Sequence, residues 1–385
     1  MRATVLALGD LGRSPRIQLH AKALAAEGCV VDLVGFRGSS CWLVDDAPRV
    51  STRYLEDGRA QRSRILRGVA LTLSLARTLR SLETPEVVLV QTPPAIPALY
   101  LGARFGRARR ARVVFDWHNL GFSLLGLRTG AGSPEARLYE RLERRSARRA
   151  HGHLCVTPQL RVELRQRFGI DAEIFQDRPS EAFARVSEES RLALRREILE
   201  RVGLHRPEPR LLVVSPTSWT NDEDFGLLES AGEKLNQSPG DPIVFILSGH
   251  GELKEAFESR IAGRSAGRSR FATIWFEGRD YPRLLPGADL GLSLHASSSG
   301  VDFPMKIHDM RGSGLPVLAL RFPGLSAGFT EGRDGLAFAN ASDLASLLSR
   351  MSDDGEGLAA LRGAGEGPTW EEGWQRDARR VIFGA

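Results

Sequence analysis

Two successive series of apolar β-strand patterns, each alternating with helical patterns, run along the chain and restrict its fold more than any other feature. The first series has six runs and ends at residue 177, and the second has six runs and begins at residue 210. The runs are, in order, TVLALG, VVDLVGF, VVLVQT, RVVFDWH, HLCVT and EIFQD, then RLLVVS, IVFILSG, FATIWFEG, DLGLSLH, LPVLAL and GLAFA. Strands that alternate with helices form parallel sheets, so each series predicts one doubly wound α/β domain.

A polar, helix-forming stretch from about 179 to 209 separates the two series. The length of 385 residues also suits two domains, because single cores rarely grow beyond about 250–300 residues. We therefore predict an N-terminal Rossmann-like domain over 1–180 and a C-terminal Rossmann-like domain over 181–368. Residues 369–385 predict a C-terminal helix, for which packing back on the N-terminal domain is one option.

Arginine carries the positive charge of the chain: 49 arginines stand against four lysines, and the net charge is +6. The basic residues are concentrated at 62–68, 104–112 and 141–151. Such segments suit nucleic acid or an anionic lipid surface, and solvated helix faces are the alternative. Few aromatic residues and no nucleic-acid motif accompany them, so we expect no nucleic-acid partner.

The sequence contains no run as long as a membrane-spanning helix. The longest apolar run, 68–76, has half of the roughly 18 residues that a span requires. The N-terminus enters a strand pattern directly and lacks the regions of a signal peptide, which predicts a cytosolic protein. Three cysteines at no metal-like spacing predict reduced thiols without a disulfide or a zinc site.

Ligands of doubly wound sheets bind beyond the carboxyl ends of the strands, so the residues that follow each strand are the candidates for a site. The first strand leads into GDLGRSPR at 9–16, where glycine lets a ligand approach the backbone and the next helix offers N–H groups to a phosphate. The G-x-x-G spacing differs from that of a dinucleotide site. A plain turn, with Ser14 as N-cap and Pro15 at the first helical position, is the alternative.

A histidine lies at the end of the run RVVFDWH. Asp116 directly precedes Trp117 there, and His118 and Asn119 directly follow it. A histidine close to a neutral pKa can exchange a proton with a hydroxyl group, and the neighbouring carboxylate favours that function. A buried structural histidine is the alternative.

The segment from His295 to Val317 has the composition of a diphosphate cradle. Ser298, Ser299 and Gly300 form a loop of small residues, and Lys306 and Asp309 lie three apart on the helix that follows. A helix N-terminus with a lysine can neutralise a phosphate, and an acidic residue one turn later can accept hydrogen bonds from ribose. The alternative is a capped helix with an incidental Lys–Asp pair.

Two other turns of the second half are candidates. Gly249 and Gly251 lie in SGHGELK, where backbone contact with a phosphate and a plain turn are both open. Ser218 and Thr220, in SWTNDEDFG, can cap the helix that begins between Asp222 and Phe225, and acidic residues suit its first turn. A cap alone does not require the tryptophan between them.

Together these segments resemble a known family. GDLGRSPR, DWHN, LCVT, SWTNDEDF, GRDYPRLLPGADLGLSLHASSSGVDFPMKIHDMRGSGLPV and WEEGW are similar, in order from residue 7 to about 375, to the chitobiosyldiphosphodolichol beta-mannosyltransferases. The resemblance implies a GT-B architecture, with two Rossmann-like domains and an interdomain cleft. It also implies GDP-mannose as donor, inversion at the anomeric carbon, a lipid-linked GlcNAc2 acceptor, a beta-1,4 linkage and no obligatory metal.

The resemblance assigns expected roles to the candidate residues. We expect His118 near the reaction centre, with Asp10 or Glu223 as the rival base. The expected acceptor-binding residues are Arg13, Asp116 and Asn119, and no metal ligands are expected. The expected donor-binding residues are Gly12, Ser218, Trp219, Thr220, Gly249, Gly251, Ser298, Ser299, Gly300, Lys306 and Asp309.

Members of this family usually carry an N-terminal membrane anchor, whereas this chain begins at its first strand, which leaves the acceptor lipid open. The segment RSRILRGVALTLSLARTLRSL has an apolar stretch flanked by arginines, as in a helix lying on an anionic membrane, and an amphipathic core helix is the alternative. We expect a peripheral protein on the cytosolic face of a membrane.

Other functions are also compatible with the fold. A GT-B glycosyltransferase with a different acceptor, a nucleotide-sugar epimerase and a noncatalytic binding module are alternatives. Retaining enzymes of this architecture would show two glutamates eight positions apart, whereas Val301 and Asp309 occupy that spacing here.

Overall fold

The computed structural model describes residues 1–56, 63–130, 132–204, 207–262, 267–296, 303–354, 356–362 and 367–384. The chain divides into two compact units. Unit 1 consists of Met1–Asp177 and Trp370–Ala385, and unit 2 consists of Arg178–Thr369.

Within the described residues, unit 1 contains a seven-stranded parallel sheet in the order β3-β2-β1-β4-β5-β6-β7. Its strands are β1 (Arg2–Asp10), β2 (Val30–Phe36), β3 (Val50–Leu55), β4 (Val87–Thr92), β5 (Arg112–Trp117), β6 (Gly152–Cys155) and β7 (Glu173–Ile174). Its helices are α1 (Pro15–Ala26), α2 (Arg64–Ser81), α3 (Ala98–Ala108), α4 (Gly121–Thr129), α5 (Pro134–Ala147) and α6 (Pro158–Phe168). The strand order reverses at β1, so the carboxyl ends of β1 and β4 lie at the switch point of a doubly wound sheet.

The central strands of unit 1 are buried on both faces, which explains their nearly continuous apolar sequences. The edge strand β3 was missed by the sequence analysis. Its sequence VSTRYL is largely accessible to solvent, and among the described strands it pairs with β2 alone, so no apolar run marks it.

Within the residues described, unit 2 contains a six-stranded parallel sheet in the order β10-β9-β8-β11-β12-β13. Its strands are β8 (Leu211–Pro216), β9 (Ile243–Ser248), β10 (Ser269–Ile274), β11 (Leu290–Ser293), β12 (Val317–Leu320) and β13 (Gly335–Phe338). Its helices are α7 (Glu188–Arg201), α8 (Phe225–Asn236), α9 (Lys254–Ile261), α10 (Asp280–Leu284), α11 (Met305–Gly312), α12 (Ala341–Asp354) and α13 (Glu356–Arg362). All twelve predicted runs therefore form strands, and both sheets have the predicted doubly wound α/β form.

The C-terminal segment belongs to unit 1. It forms α14 (Trp370–Gly373), a π-helical turn (Trp374–Ala378) and α15 (Arg379–Phe383). Trp370 and Trp374 are fully buried, and the backbone oxygen of Val381 accepts a hydrogen bond of 2.9 Å from Nε of Arg112 on β5. The segment thus completes the core of the first unit.

None of the helices in the described ranges combines the length and the apolar character that crossing a bilayer requires.

Candidate functional site

A buried cluster of charged residues lies at the carboxyl end of β5 in unit 1. We call it the Asp116 cluster, and it consists of Arg16, His20, Asp116, His118 and Asp177. Asp116 is the penultimate residue of β5, and Arg16 and His20 lie four residues apart on α1. Because residues four apart share one helix face, α1 directs both side chains at the same carboxylate.

Arg16 binds Asp116 through two parallel hydrogen bonds, Nε to Oδ2 and Nη2 to Oδ1, each 2.8 Å long. Its Nη1 donates to Oδ1 of Asp177 at 2.6 Å, and Arg16 and Asp116 are both buried. Burial raises the pKa of Asp116, but the charge of Arg16 and the hydrogen bonds of two histidines outweigh it and hold that pKa well below its usual range. Asp116 is therefore an ionised carboxylate that is saturated with donors.

The tautomer of His20 follows from its two partners. Trp374 can only donate, so its Nε1 donates to Nδ1 of His20 at 3.1 Å. The proton of the neutral ring is then on Nε2, which lies 3.2 Å from Oδ2 of Asp116 and donates to it. Burial lowers the pKa of His20, which keeps the ring neutral.

His118 is the most exposed member of the Asp116 cluster, with 24% of its side chain accessible to solvent, compared with 10% for Asp177. Its Nε2 lies 3.3 Å from Oδ2 of Asp116, and its backbone N–H donates to the oxygen of Thr92 at 2.9 Å. A carboxylate only accepts, so Nε2 carries the proton and Nδ1 of the neutral ring holds a lone pair. This arrangement is that of a general base oriented by a carboxylate.

The structure corrects the role expected for Asp116. Its carboxylate is fully buried and its oxygens are occupied, so it cannot contact an acceptor and instead orients His118. Of the other predicted acceptor-binding residues, Arg13 is exposed and Asn119 is buried. The Oδ1 atom of Asn119 accepts a hydrogen bond of 2.8 Å from the Leu120 amide, and both assignments remain predictions.

Asp10, a predicted rival base, ties two loops together. Its Oδ1 accepts from the amide of Gly12 at 2.9 Å, and its Oδ2 accepts from the amide of Ser39 at 3.0 Å. A Cβ at Gly12 would lie 2.2 Å from the Ser39 oxygen, so this close approach requires glycine. Ser14 and Pro15 begin α1, as in the plain-turn alternative, but the Ser14 hydroxyl donates to the backbone oxygen of Asp10 at 2.9 Å instead of capping the helix.

In unit 2, residues 217–223 fold around the buried carboxylate of Glu223, and we call them the Glu223 loop. Oε2 of Glu223 accepts from the hydroxyl of Thr217 at 2.5 Å and from the amides of Ser218 and Trp219 at 2.9 and 3.0 Å. Oε1 accepts from Nζ of Lys306 on α11. Burial raises the pKa of Glu223. Lys306 and these hydrogen bonds lower that pKa by more than burial raises it, so the net shift is downward. A carboxylate with these partners is a poor general base, which argues against that predicted role.

The structure explains the tryptophan of SWTNDEDFG and corrects two predictions. Trp219 has a left-handed backbone (φ 53°), and its buried ring stacks on Phe225 with 4.6 Å between ring centroids. Its side chain is thus a core residue, not a donor contact. Asp224 caps α8 by accepting from the Leu227 amide, so the predicted caps at Ser218 and Thr220 are wrong. Both of these residues remain partly exposed.

Gly249 and Gly251 pack against the Glu223 loop. A Cβ at Gly249 would lie 1.7 Å from the Thr217 oxygen, and one at Gly251 would lie 2.1 Å from the Ser218 oxygen. Contact between two backbone turns therefore explains both glycines without a ligand, and their predicted donor contacts remain untested.

The predicted cradle lies partly outside the described residues, since Ser298, Ser299 and Gly300 fall there. Pro304 precedes α11, Lys306 lies in its first turn, and Asp309 accepts a hydrogen bond of 3.0 Å from the hydroxyl of Tyr281. Burial and Asp309 raise the pKa of Tyr281 well above its usual value, so the hydroxyl stays protonated and donates. Lys306 and Asp309 thus have protein partners in addition to their predicted ligand roles.

Four residues of these clusters were missed by the sequence analysis: Arg16, His20, Asp177 and Thr217. The four-residue spacing of Arg16 and His20 was the available signal, because it places a cation and an imidazole on one face of the first helix. The described part of the chain contains no group of three or more His, Cys, Asp or Glu residues placed to hold a metal ion.

Comparisons with known proteins define the class. Residues 12–174 match the glycosyl transferase 4-like domain family, and residues 249–376 match the glycosyl transferase-like family. The fold is similar to that of Anabaena Alr3699/HepE in complex with UDP and glucose, with a TM-score of 0.70 at 16% identity over 100% of this chain and 97% of that chain. Sucrose-phosphate synthase from Thermosynechococcus elongatus is similar with a TM-score of 0.66 at 16% identity, over 99% and 94% of the two chains. The chain is thus a glycosyltransferase of the GT-B fold, built from two Rossmann-like units.

Relatives at higher identity define the family. The chain is 34% identical to the chitobiosyldiphosphodolichol beta-mannosyltransferase of Mus musculus, over 96% of this chain and 87% of the relative. The human protein of that name is 32% identical, over 98% and 91% of the two chains. The UDP-glycosyltransferase TURAN of Arabidopsis thaliana is 32% identical, over 99% and 97%. The chain belongs to the chitobiosyldiphosphodolichol beta-mannosyltransferase family, which confirms the resemblance drawn from its sequence and makes it a transferase, not an epimerase.

Proposed function

We propose that this glycosyltransferase moves mannose from GDP-mannose to a lipid-linked chitobiosyl diphosphate, forming a beta-1,4 linkage with inversion. The mouse and human relatives are named for a beta-mannosyl transfer and for a chitobiosyl diphosphate on dolichol. A mannosyl group needs an activated donor, and GDP-mannose supplies a diphosphate leaving group.

The Asp116–His118 pair is the observation that carries the chemical part of this proposal. The lone pair on Nδ1 of His118 takes the proton from the acceptor hydroxyl, while Nε2–H remains bound to Asp116. The hydroxyl oxygen forms a bond to the anomeric carbon as the bond from that carbon to the diphosphate oxygen breaks. GDP then leaves with the electron pair, and the configuration is inverted.

The donor diphosphate is assigned to unit 2. Lys306 has three N–H donors, and Glu223 uses one, so the ammonium group can bind a phosphate without leaving its partner. Lys306 lies in the first turn of α11, where the helix dipole also favours an anion. The N–H donors of Lys306 and the N-terminus of α11 place positive potential where the diphosphate leaves, and we propose that the reaction has no obligatory metal.

A UDP-sugar is the second candidate donor. The relative from Arabidopsis is named a UDP-glycosyltransferase, although its identity to this chain is close to that of the mannosyltransferases. The described residues contain no feature that separates guanine from uracil, so an experiment has to decide between the two donors.

We also propose that the protein acts as a peripheral protein on the cytosolic face of an anionic membrane. A lipid-linked acceptor is held in a bilayer, so the enzyme has to meet its acceptor at the membrane surface. Basic residues near anionic lipid stabilise such an association by about 1 kcal/mol each.

The test is a transfer reaction in detergent with the full-length chain, short-chain lipid-linked chitobiose and, in separate reactions, GDP-mannose and UDP-sugars. We expect a trisaccharide from GDP-mannose alone, with a beta-1,4 linkage in its NMR spectrum and an unchanged rate in EDTA. A lipid carrying one GlcNAc serves as the matched acceptor control. Product from a UDP-sugar and none from GDP-mannose would reject the donor assignment, and loss of activity in EDTA would reject the metal-free mechanism.

A further inference from the structure

We infer that a groove between α2 and α3 of unit 1 binds the phosphate headgroup of an anionic phospholipid. The groove has a volume of about 610 Å³. Its apolar lining consists of Ala76, Leu79, Leu101, Phe105 and Ala108, and its basic lining consists of Arg80, Arg104, Arg107, Arg109 and Arg149. Below, we call it the arginine groove.

The charge of the arginine groove has no ion-pair partner among the residues that the structure describes. In the ranges that the structure describes, none of its five arginines forms an ion pair, and none of its lining residues is acidic. The arginines that line a cavity of unit 2 differ, since Arg191, Arg195 and Arg362 converge on the buried carboxylate of Asp289. Five unpaired guanidinium groups around one cavity constitute a site for a polyanion.

Two of these arginines are held in place by aromatic rings. The guanidinium carbon of Arg109 lies 4.3 Å from the ring centroid of Phe105, and that of Arg149 lies 4.7 Å from the ring centroid of Tyr100. Such stacking uses the flat faces of the guanidinium groups and leaves their N–H edges available for hydrogen bonds. The rim is therefore partly ordered before a ligand binds.

An exposed apolar stripe leads along α2 into the arginine groove. Leu66, Val69 and Leu73 are 54%, 50% and 48% exposed, so three large aliphatic side chains of this helix face solvent. Together with Ala76 and Arg80 they follow a spacing of three and four residues, so they share one face of α2. On the other side of α2, Leu75 packs in the core, and the buried Leu79 belongs both to the core and to the lining of the groove.

This combination selects a phospholipid over a free phosphate. Free phosphate would use the arginines but not the exposed leucine and valine side chains, whereas a lipid surface offers a headgroup phosphate and an acyl region. The inference deepens the proposed function, because it supplies a site through which the enzyme would reach an acceptor held in a membrane. It does not depend on the identity of the donor sugar.

The experiment measures co-sedimentation of the full-length protein with phosphatidylglycerol-containing vesicles and with pure phosphatidylcholine vesicles. The test variant replaces Arg80, Arg104 and Arg107 with glutamine. The control variant replaces three exposed arginines on other helices, Arg165, Arg196 and Arg350, and so changes the net charge equally. We expect binding to phosphatidylglycerol vesicles only, and a loss on the order of 100-fold for the groove variant, because each basic residue contributes about fivefold near an anionic surface.

Two further vesicle-binding measurements distinguish a phospholipid ligand from free phosphate. Changing Leu66, Val69 and Leu73 to serine should also weaken vesicle binding, whereas millimolar inorganic phosphate should not compete. Equal losses in the groove and control variants would show that net charge alone attracts the protein and would overturn the inference, as would competition by inorganic phosphate. The groove variant should keep its transfer rate on short-chain acceptor in detergent, so failure of the glycosyltransferase proposal would be seen separately.

Discussion

Replacing Asp116 with asparagine is the most informative single perturbation of unit 1. The change removes the charge that pairs with the buried Arg16, while Asp177 remains as that arginine's other carboxylate partner. Removing one member of a buried ion pair costs about 3–5 kcal/mol, because the other charge stays buried. Single domains have stabilities of about 5–15 kcal/mol, so we expect the variant to fold with a clearly reduced free energy of unfolding.

The effect of Asp116→Asn on the unfolding free energy should depend on pH in a defined direction. The pKa of Asp116 lies well below its usual value in the folded protein, so its contribution to stability is present above the unfolded pKa of about 4 and is lost as pH falls through the folded pKa. The difference in unfolding free energy between the wild type and Asp116→Asn should therefore be constant from neutral pH to about pH 5 and shrink below about pH 4.

Urea unfolding at several pH values measures this difference, and Asp177→Asn is the matched control. The control also removes a carboxylate from Arg16, but it leaves the hydrogen bonds of Asp116 to His20 and His118 intact. It should therefore keep its transfer rate, whereas Asp116→Asn should lose transfer as well as stability. A destabilisation below about 1 kcal/mol in Asp116→Asn would refute the ion-pair reasoning. A destabilisation independent of pH down to pH 3 would refute the assignment of an ionised carboxylate.

Three further predictions concern other residues. Lys306→Ala should weaken GDP binding by roughly 10- to 100-fold in calorimetry, because a charge-assisted hydrogen bond contributes about 1.5–3 kcal/mol. The control Lys234→Ala should leave GDP binding unchanged, and equal GDP affinities in the two variants would reject the diphosphate assignment. Burial lowers the pKa of His153 to about 4, so the stability contributed by its neutral ring is lost as pH falls from about 6.5 to 4. The difference in unfolding free energy between the wild type and His153→Gln should therefore shrink by up to about 3 kcal/mol in that pH range. A difference that stays constant would contradict this prediction. Gly249→Ala should cost about 1–3 kcal/mol in thermal or urea unfolding, since its Cβ would lie 1.7 Å from the Thr217 oxygen, and an unchanged midpoint would show that the two turns separate easily.

The fold was predictable because its determinants are local. The buried central strands of both sheets are short apolar runs, which a sequence shows directly. The edge strand β3 is the exception, because its side chains are largely accessible to solvent and it lies at the end of the sheet, beside β2. Its position in the sheet depends on backbone pairing, which apolar periodicity does not report.

The candidate site was predictable only in part. The strand-end rule located His118 and Glu223, but each cluster also contains a cation from a distant part of the chain. Arg16 lies 100 residues before its partner Asp116, and Lys306 lies 83 residues after its partner Glu223. Those partners reverse the expected chemistry of Glu223, since a buried carboxylate with a lysine and several N–H and O–H donors does not serve as a base. No local pattern in the sequence encodes such distant contacts.

Transfer by His118→Gln, compared with GDP binding by the same variant, tests the central claim most directly. If Nδ1 of His118 accepts the acceptor proton, kcat should fall by roughly 10²- to 10⁴-fold while the Kd for GDP, which is assigned to unit 2, stays the same. A near-normal kcat in this variant would remove His118 from the chemistry and contradict the account.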